Sequence, residues 1–484
     1  MIAPWVREEM AAADLKDKRL NARLTQILSE LANRPVASIP AACGGHAETV
    51  AAYRFFDNDK VTYQRVLQPH FDATRQRMAE QQVALLVEDT TELDLTRPQQ
   101  QVVGAGPMDS VVSRGAYLHL MEAFTPDGTP LGAVAADIWT RDEAHFCQPQ
   151  AEKRKRRKAL PIEEKESFRW LQGLRQARKV AQQLPHVQCI YVADSEADIY
   201  HLFAEPRGER PVDWVIRACQ QRCVCDAKGT SGKTIREKLL LSPVLFSKEI
   251  TVRRRKAKTA CETRARRTTR EGRATVVEVR AAVVTLHPPA QSDRPLPLVA
   301  VNVVMVHEVD VPEGEEPVEW ILLTTLPIAT VEEVRQIIQN YCVRWMIEVF
   351  FRTLKSGCRV EERLFEHIDR LLPCVAVYLI VTWRTLLMVR LGRSCPDLNC
   401  EAVFEPAEWK SVWMVIHRKA PPRQPPKLVV ILRLIGQLGG YINRPNRPDL
   451  PGPQTTWLGL QRARDLAWAW DTFGPGAGGI QWLV

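Results

Sequence analysis

Tyr341, Arg344, Glu348 and Lys355 lie in one stretch, YCVRWMIEVFFRTLK. Wound as a helix at about 100° per residue, the four fall within an arc of roughly 60°. Val343, Ile347, Phe350 and Leu354 take the opposite side, so one face is core and the other carries a phenol, a carboxylate and two cations. Two aspartates upstream follow short apolar runs: Val83 to Val87 leads through Glu88 to Asp89, and Cys189 to Ala193 leads to Asp194. Asp89, Asp194 and Glu348 brought to one point would repel one another strongly without a cation between them. Oxygen-only ligands suit Mg²⁺ or Mn²⁺ far better than Zn²⁺, and two such ions activate a water and stabilise the leaving oxygen of a phosphodiester. The chemistry expected is metal-assisted phosphoryl transfer. Taken singly, an acid after a strand is commonplace, and a charged helix face needs no function.

The elements that would position these residues follow from periodicity. Val83 to Val87 is continuously apolar, as in a strand buried on both faces. Ala116 to Phe124 and Leu131 to Thr140 flank Pro126-Asp127-Gly128, which is turn chemistry between paired strands. Trp170, Leu174, Ala177, Ala181 and Leu184 share one face of a helix over 164–184, and Cys189 to Ala193 forms the next strand. Strand, strand, strand, helix, strand, with an acid after the first and the last, is the opening of a ribonuclease-H-like sheet.

The stretch from Asp194 to the Tyr341 helix is too long for a simple connection. Ala274 to Leu286, Leu298 to His307 and Val318 to Thr324 read as strands, so a β-rich insertion is expected over about 205–325, with a basic tip. Thr330 and Glu333 form a capping box that opens a helix running to about Ser356, before Gly357.

At the N-terminal end, a helix over 14–33 carries Leu20, Leu24, Ile27, Leu28 and Leu31 on one stripe beside Lys16, Lys18, Arg19 and Arg23. A shorter helix follows over 47–56. This module suits DNA or serves as a plain helical cap. Beyond residue 372 the pattern is helical and Trp-bearing. The expected fold class is α/β: a helical N-terminal domain over 1–70, a catalytic domain over 71–372 and a helical C-terminal domain over 373–484.

Composition, with 45% hydrophobic and 25% charged residues, excludes fibrous and disordered classes. The net charge of +9 is clustered in Lys153 to Lys158 (KRKRRK) and in Arg253 to Arg273. Such clusters favour a polyanion through counterion release, or are solvated loops. Cys219, Cys223 and Cys225 lack the paired spacing of a zinc site, which points to reduced thiols. No apolar signal core opens the chain, and the run Leu371 to Trp383 stops at Arg384, short of the ~20 residues a bilayer needs. No membrane is expected, and the compartment expected is the cytoplasm.

Tyr341, Arg344, Glu348 and Lys355 also match the signature Y-x2-R-x3-E-x6-K. On that match the chain resembles the YREK-bearing DDE transposases of bacterial insertion sequences, the insertion-sequence-four family, and in particular the transposon-five type. Further motifs recur in order: DLKDKRLNARL, AAYRFF, VEDTTELDL at Asp89, EKESFRW, VADSEADI at Asp194 and RLIGQLGGYINR. The resemblance implies that Asp89, Asp194 and Glu348 hold two catalytic Mg²⁺ ions, with Mn²⁺ as a substitute. It implies that Tyr341, Arg344 and Lys355 bind DNA phosphates, that Trp320 stacks on a flipped base, and that Arg217 contacts the transposon end. A homodimer would pair two inverted-repeat ends of double-stranded DNA, nick them, form and resolve hairpins, and join the 3′ ends to target DNA. Ser195 and Met346 stand where the family usually carries basic residues. Two other readings use the same residues: a ribonuclease-H-like nuclease without strand transfer, and a DNA-binding relic or inhibitor that has lost catalysis.

Overall fold

A computed structural model describes residues 2–110, 112–143, 160–209, 211–225, 231–254, 270–290, 294–444 and 449–474. The chain opens with five helices: α1 (Pro4–Glu9), α2 (Lys18–Asn33), α3 (Ile39–Cys43), α4 (His46–Phe56) and α5 (Tyr63–Ala79). Asp17 caps α2 by accepting from the Arg19 N–H, and Thr62 caps α5 by accepting from the Arg65 N–H. Leu24, Ile27, Leu28 and Leu31 of α2 are buried in the same apolar cluster as Leu85 and Val87 of the sheet. The N-terminal helices therefore share a core with the sheet, and the boundary expected near residue 70 falls inside α5.

The sheet begins with β1 (Val83–Asp94), β2 (Gly106–Pro107), β3 (Arg114–Phe124) and β4 (Pro130–Trp139). Then come α6 (Phe168–Gln183), β5 (Gln188–Ala193), the short α7 (Tyr200–Phe203) and β6 (Asp213–Arg217). β3 runs antiparallel to both β1 and β4, while β5 is parallel to β1 and β6 is parallel to β5. The resulting order is β4-β3-β1-β5-β6; the first four of these strands are the ones expected from the hairpin, helix and strand signals, and β6 is an addition to them. Alternate residues of β1 enter different cores: Leu85 and Val87 face one, Ala84 and Leu86 the other, with Trp170, Leu171 and Leu174 of α6. A strand covered on both faces has no polar side to show, which explains its unbroken apolar run. Each such Leu or Val contributes roughly 1.5–3 kcal/mol on burial.

The remaining strands are β7 (Cys223–Cys225), β8 (Ser231–Thr234), β9 (Phe246–Val252), β10 (Arg273–Leu286), β11 (Val299–Glu308) and β12 (Glu319–Thr324), with α8 (Ile235–Leu240) between β8 and β9. They extend the sheet instead of forming a body of their own. β12 pairs antiparallel with β6, and the order continues β6-β12-β11-β10-β7-β8. β6 lies inside the range 205–325 expected as insertion, yet it is a core strand held between β5 and β12. It was hidden because only Trp214, Val215 and Ile216 of it are apolar, between the charged Asp213 and Arg217. The cluster Lys153 to Lys158 and most of Arg253 to Arg273 lie outside the described residues.

Thr330 and Glu333 form both halves of the capping box at the head of α9 (Val331–Val343). The helix breaks at Arg344, resumes as α10 (Trp345–Arg352), and ends in a π turn over Thr353–Gly357. The last helices are α11 (Ile368–Ser394), α12 (Pro406–His417), α13 (Leu428–Leu438) and α14 (Pro453–Phe473). α11 is apolar and long enough to cross a bilayer by length and composition, and its most apolar window is 83% buried inside the protein. Leu371 to Leu386 line the core under the sheet, while Met388 joins a separate cluster with Trp409, Ile431, Ile435 and Leu460. The boundary expected near 372 therefore falls inside α11.

Candidate active site

The pairing register brings the two aspartates together. Glu88 opposite Ala193 is the last pair of the parallel β1–β5 ladder, so Asp89 and Asp194 are the next residue on each strand. Neighbouring strands stand about 4.8 Å apart, and residues in register point to the same face. That face is the one carrying Leu85, Val87, Ile190 and Val192, on which α9 and α10 pack with Tyr341, Ile347 and Phe350. β1 runs on to Asp94, so Asp89 sits within a strand and not at its end as the sequence suggested. Asp89 Oδ1 accepts from the Thr90 N–H at 2.8 Å, and Asp194 Oδ1 accepts from the Glu196 N–H at 2.8 Å.

Arg344, at the break between α9 and α10, donates from Nη1 to Asp89 Oδ2 at 3.0 Å and from Nη2 to Glu348 Oε1. Asp89 and Arg344 are each 13% exposed, and Glu348 is 34% exposed. Burial, and then the neighbouring Asp194 carboxylate, push Asp89 up to about 7, against the pull of Arg344 and the Thr90 N–H. Burial works against the charge of Arg344, but Tyr341, Glu348 and Asp89 outweigh it and raise its pKa. Burial also raises Tyr341, while the Arg344 and Arg217 charges work the other way.

The other expected DNA-contacting residues divide. Arg217 ends β6 and Trp320 lies on β12, both in register with the face that carries the aspartates. The half-buried Trp320 ring meets Tyr341 edge-on, with centroids 5.4 Å apart. Lys355 is paired elsewhere: it lies within the π turn, in which the Cys358 N–H bonds the Thr353 carbonyl, and its Nζ is 3.6 Å from Glu361 Oε1. Met346 packs against the apolar core, and Ser195 sits in the turn after Asp194.

Behind the aspartates lies a buried polar group that the sequence reading missed: Glu88, His119 and Tyr191. Its one signal was a charge at a position of β1 that alternation assigns to the core. Its partners lie on β3 and β5, far away in sequence.

Among the described residues no three acidic, histidine or cysteine side chains stand together as a ready metal group, and Glu348 is turned onto Arg344. The donor chemistry nevertheless fits a hard divalent cation. Every candidate ligand is a carboxylate oxygen, and Asp194 already makes the ionised form of Asp89 costly, which a cation would relieve.

Three family descriptions match the chain in order: transposase DNA-binding over residues 2–61, transposase DDE domain over 171–371, and transposase Tn5 dimerisation domain over 380–467. A cryo-EM structure of the piggyBac transposase synaptic complex with hairpin DNA aligns with a TM-score of 0.33 and 10% identity, over 81% of this chain and 72% of that one. A DDE domain carries a ribonuclease-H-like core, in agreement with the strand order above, and its family generally uses divalent metal ions. With a DNA-binding match before that domain and a dimerisation match after it, the chain belongs to the Tn5-like DDE transposases, enzymes of DNA transposition.

Proposed function

We propose that Asp89, Asp194 and Glu348 hold two Mg²⁺ ions, replaceable by Mn²⁺, and that this one site serves nicking, hairpin formation and strand transfer at inverted-repeat transposon ends. The observation that carries this reading is the ladder register at Glu88 and Ala193, together with the guanidinium that ties Asp89 to Glu348. Bound there, the metal would lower the pKa of the attacking water and stabilise the leaving oxygen.

The protein's own groups prepare that site. Arg344 bridges Asp89 and Glu348 and offsets part of their charge; a DNA phosphate offers the same guanidinium a third anionic partner and would free both carboxylates. Tyr341, with its hydroxyl among Arg344 and Arg217, lines the phosphate path. Trp320 offers an aromatic face to an unstacked base. Lys355, in the π turn, reaches DNA further along the strand. The parts of the chain divide the labour: 1–70 recognises the ends, 71–372 performs the chemistry and 373–484 pairs two copies, with the nucleoid as the working compartment.

Asp89→Asn, Asp194→Asn and Glu348→Gln test this reading. Each keeps its size and loses a hard anionic ligand, so nicking, hairpin formation and joining in Mg²⁺ should all collapse while end-DNA binding persists. Gel assays of all three steps beside a binding assay on the same preparations decide it. Wild-type nicking by any well-folded variant removes that residue from the triad.

A further inference from the structure

On the reverse face of the sheet, directly behind the paired aspartates, three polar side chains are buried among apolar ones. Glu88 is 2% exposed, His119 5% and Tyr191 0%. The Tyr191 hydroxyl donates to Glu88 Oε2 at 2.5 Å, which links β5 to β1. A 2.8 Å hydrogen bond joins His119 Nδ1 to Thr90 Oγ1, which links β3 to β1, and His119 Nε2 makes no hydrogen bond but lies 3.3 Å from Glu88 Oε1. Trp170 of α6 meets His119 edge-on at 4.7 Å between centroids. α6 passes so close at Gly173 that a Cβ there would lie 2.0 Å from Glu88 Oε2, so only glycine fits.

A buried carboxylate is weak evidence for stability, since hydrocarbon of the same shape commonly does as well. Position is what the three have in common. Glu88 opposite Ala193 is the last ladder pair before Asp89 and Asp194, and Thr90, which His119 holds, donates its N–H to Asp89 Oδ1.

We propose that Glu88, His119 and Tyr191 are positioning residues for the two aspartates. They clamp β3, β1 and β5 on one face, so that Asp89 and Asp194 leave the other face at a fixed separation. The inference rests on the reading that these aspartates hold the metal. Ligands free to splay must be ordered when the ion binds, whereas clamped ligands are ordered beforehand. Groups that back metal ligands in this way typically change metal affinity about 10- to 100-fold.

The test uses the full-length protein and Mn²⁺ alone as probe, with bound ion read from the loss of the free Mn²⁺ resonance signal. Tyr191→Phe removes one oxygen and should weaken Mn²⁺ about tenfold or more. On a supercoiled plasmid bearing the DNA that flanks the gene, the Mn²⁺ needed for half-maximal nicking should rise by the same factor. The rate at saturating Mn²⁺ should stay within about twofold of wild type. Glu88→Gln keeps an acceptor for Tyr191 but loses the charge facing His119; it should shift the same two readings, and it carries the test should Tyr191→Phe unfold. A merely structural role would lower the melting temperature and the saturating rate while leaving Mn²⁺ affinity unchanged, and that result overturns the proposal. Asp89→Asn is run alongside. Wild-type Mn²⁺ affinity in Asp89→Asn sinks the ligand assignment itself. Loss there, with wild-type affinity in both Tyr191→Phe and Glu88→Gln, sinks the positioning role alone.

Discussion

The guanidinium of Arg344 reaches Asp89 Oδ2 at 3.0 Å across 255 positions of sequence, joining the central strand to the helix that carries Glu348. Both groups are largely buried, so the contact is screened little by water. In metal-free protein it offsets the repulsion that Asp89 meets from Asp194.

Arg344→Ala should therefore destabilise the metal-free protein by about 2–4 kcal/mol, the range for removing one partner of a buried pair, reduced here because Asp89 can take up a proton. Saturating Mn²⁺ should narrow that loss, since a cation then supplies the missing positive charge. Melting curves in chelator and in Mn²⁺ make the comparison, and an equal loss in both would show that Arg344 has no electrostatic part in the site.

The raised pKa of Asp89 gives stability a pH dependence of definite sign. Between the ordinary value of 3.8 and about 7, the unfolded chain has released this proton and the folded chain still holds it. Metal-free stability should then fall as pH rises through that window and level off above about 7. Asp89→Asn lacks this term, so it should match wild type near pH 4 and exceed it near pH 8, by about 2–4 kcal/mol. Urea titrations in chelator at both pH values check it; a constant difference would remove Asp89 as the cause.

Trp320 is half-buried and its ring meets that of Tyr341 in a T-shaped contact. Trp320→Ala should accumulate nicked DNA and lose hairpins while melting within a few degrees of wild type. A variant that simply unfolds would instead mark the ring as core.

A cut at residue 372 would strip Val375 to Leu386 from the core beneath the sheet and should unfold the protein. A cut after Ser394 spares them. That shorter chain should bind end DNA and fail to assemble two ends. If it still pairs and cleaves both, the C-terminal part is not what brings two copies together.

Much of this arrangement was legible in the sequence, and the gaps have physical reasons. The Val83 to Val87 run, the Pro126-Asp127-Gly128 turn and the Thr330–Glu333 box each act over a few residues, and all three appear as expected. The extent of β1 beyond Asp89 depends on β3, which covers Thr90 to Asp94 and lies elsewhere in the chain. The π turn around Lys355 has no counterpart in a uniform helical wheel, which has no place for the additional residue. Glu88 looked like a prelude to Asp89, since nothing near it in sequence announces His119 or Tyr191.

α11 passes from the core beneath the sheet to the C-terminal cluster without interruption, and the DDE and dimerisation matches part between residues 371 and 380, within it. Its Thr382 hydroxyl lies 3.5 Å from Cys358 Sγ, just past the π turn, and Gly357 in that turn lies so close to Trp457 of α14 that a Cβ there would be 3.0 Å from the ring. The seam between the two families is thus no joint. The residues matched to the dimerisation description and the segment that follows Glu348 are packed on one and the same helix, so neither can be removed as a separate module.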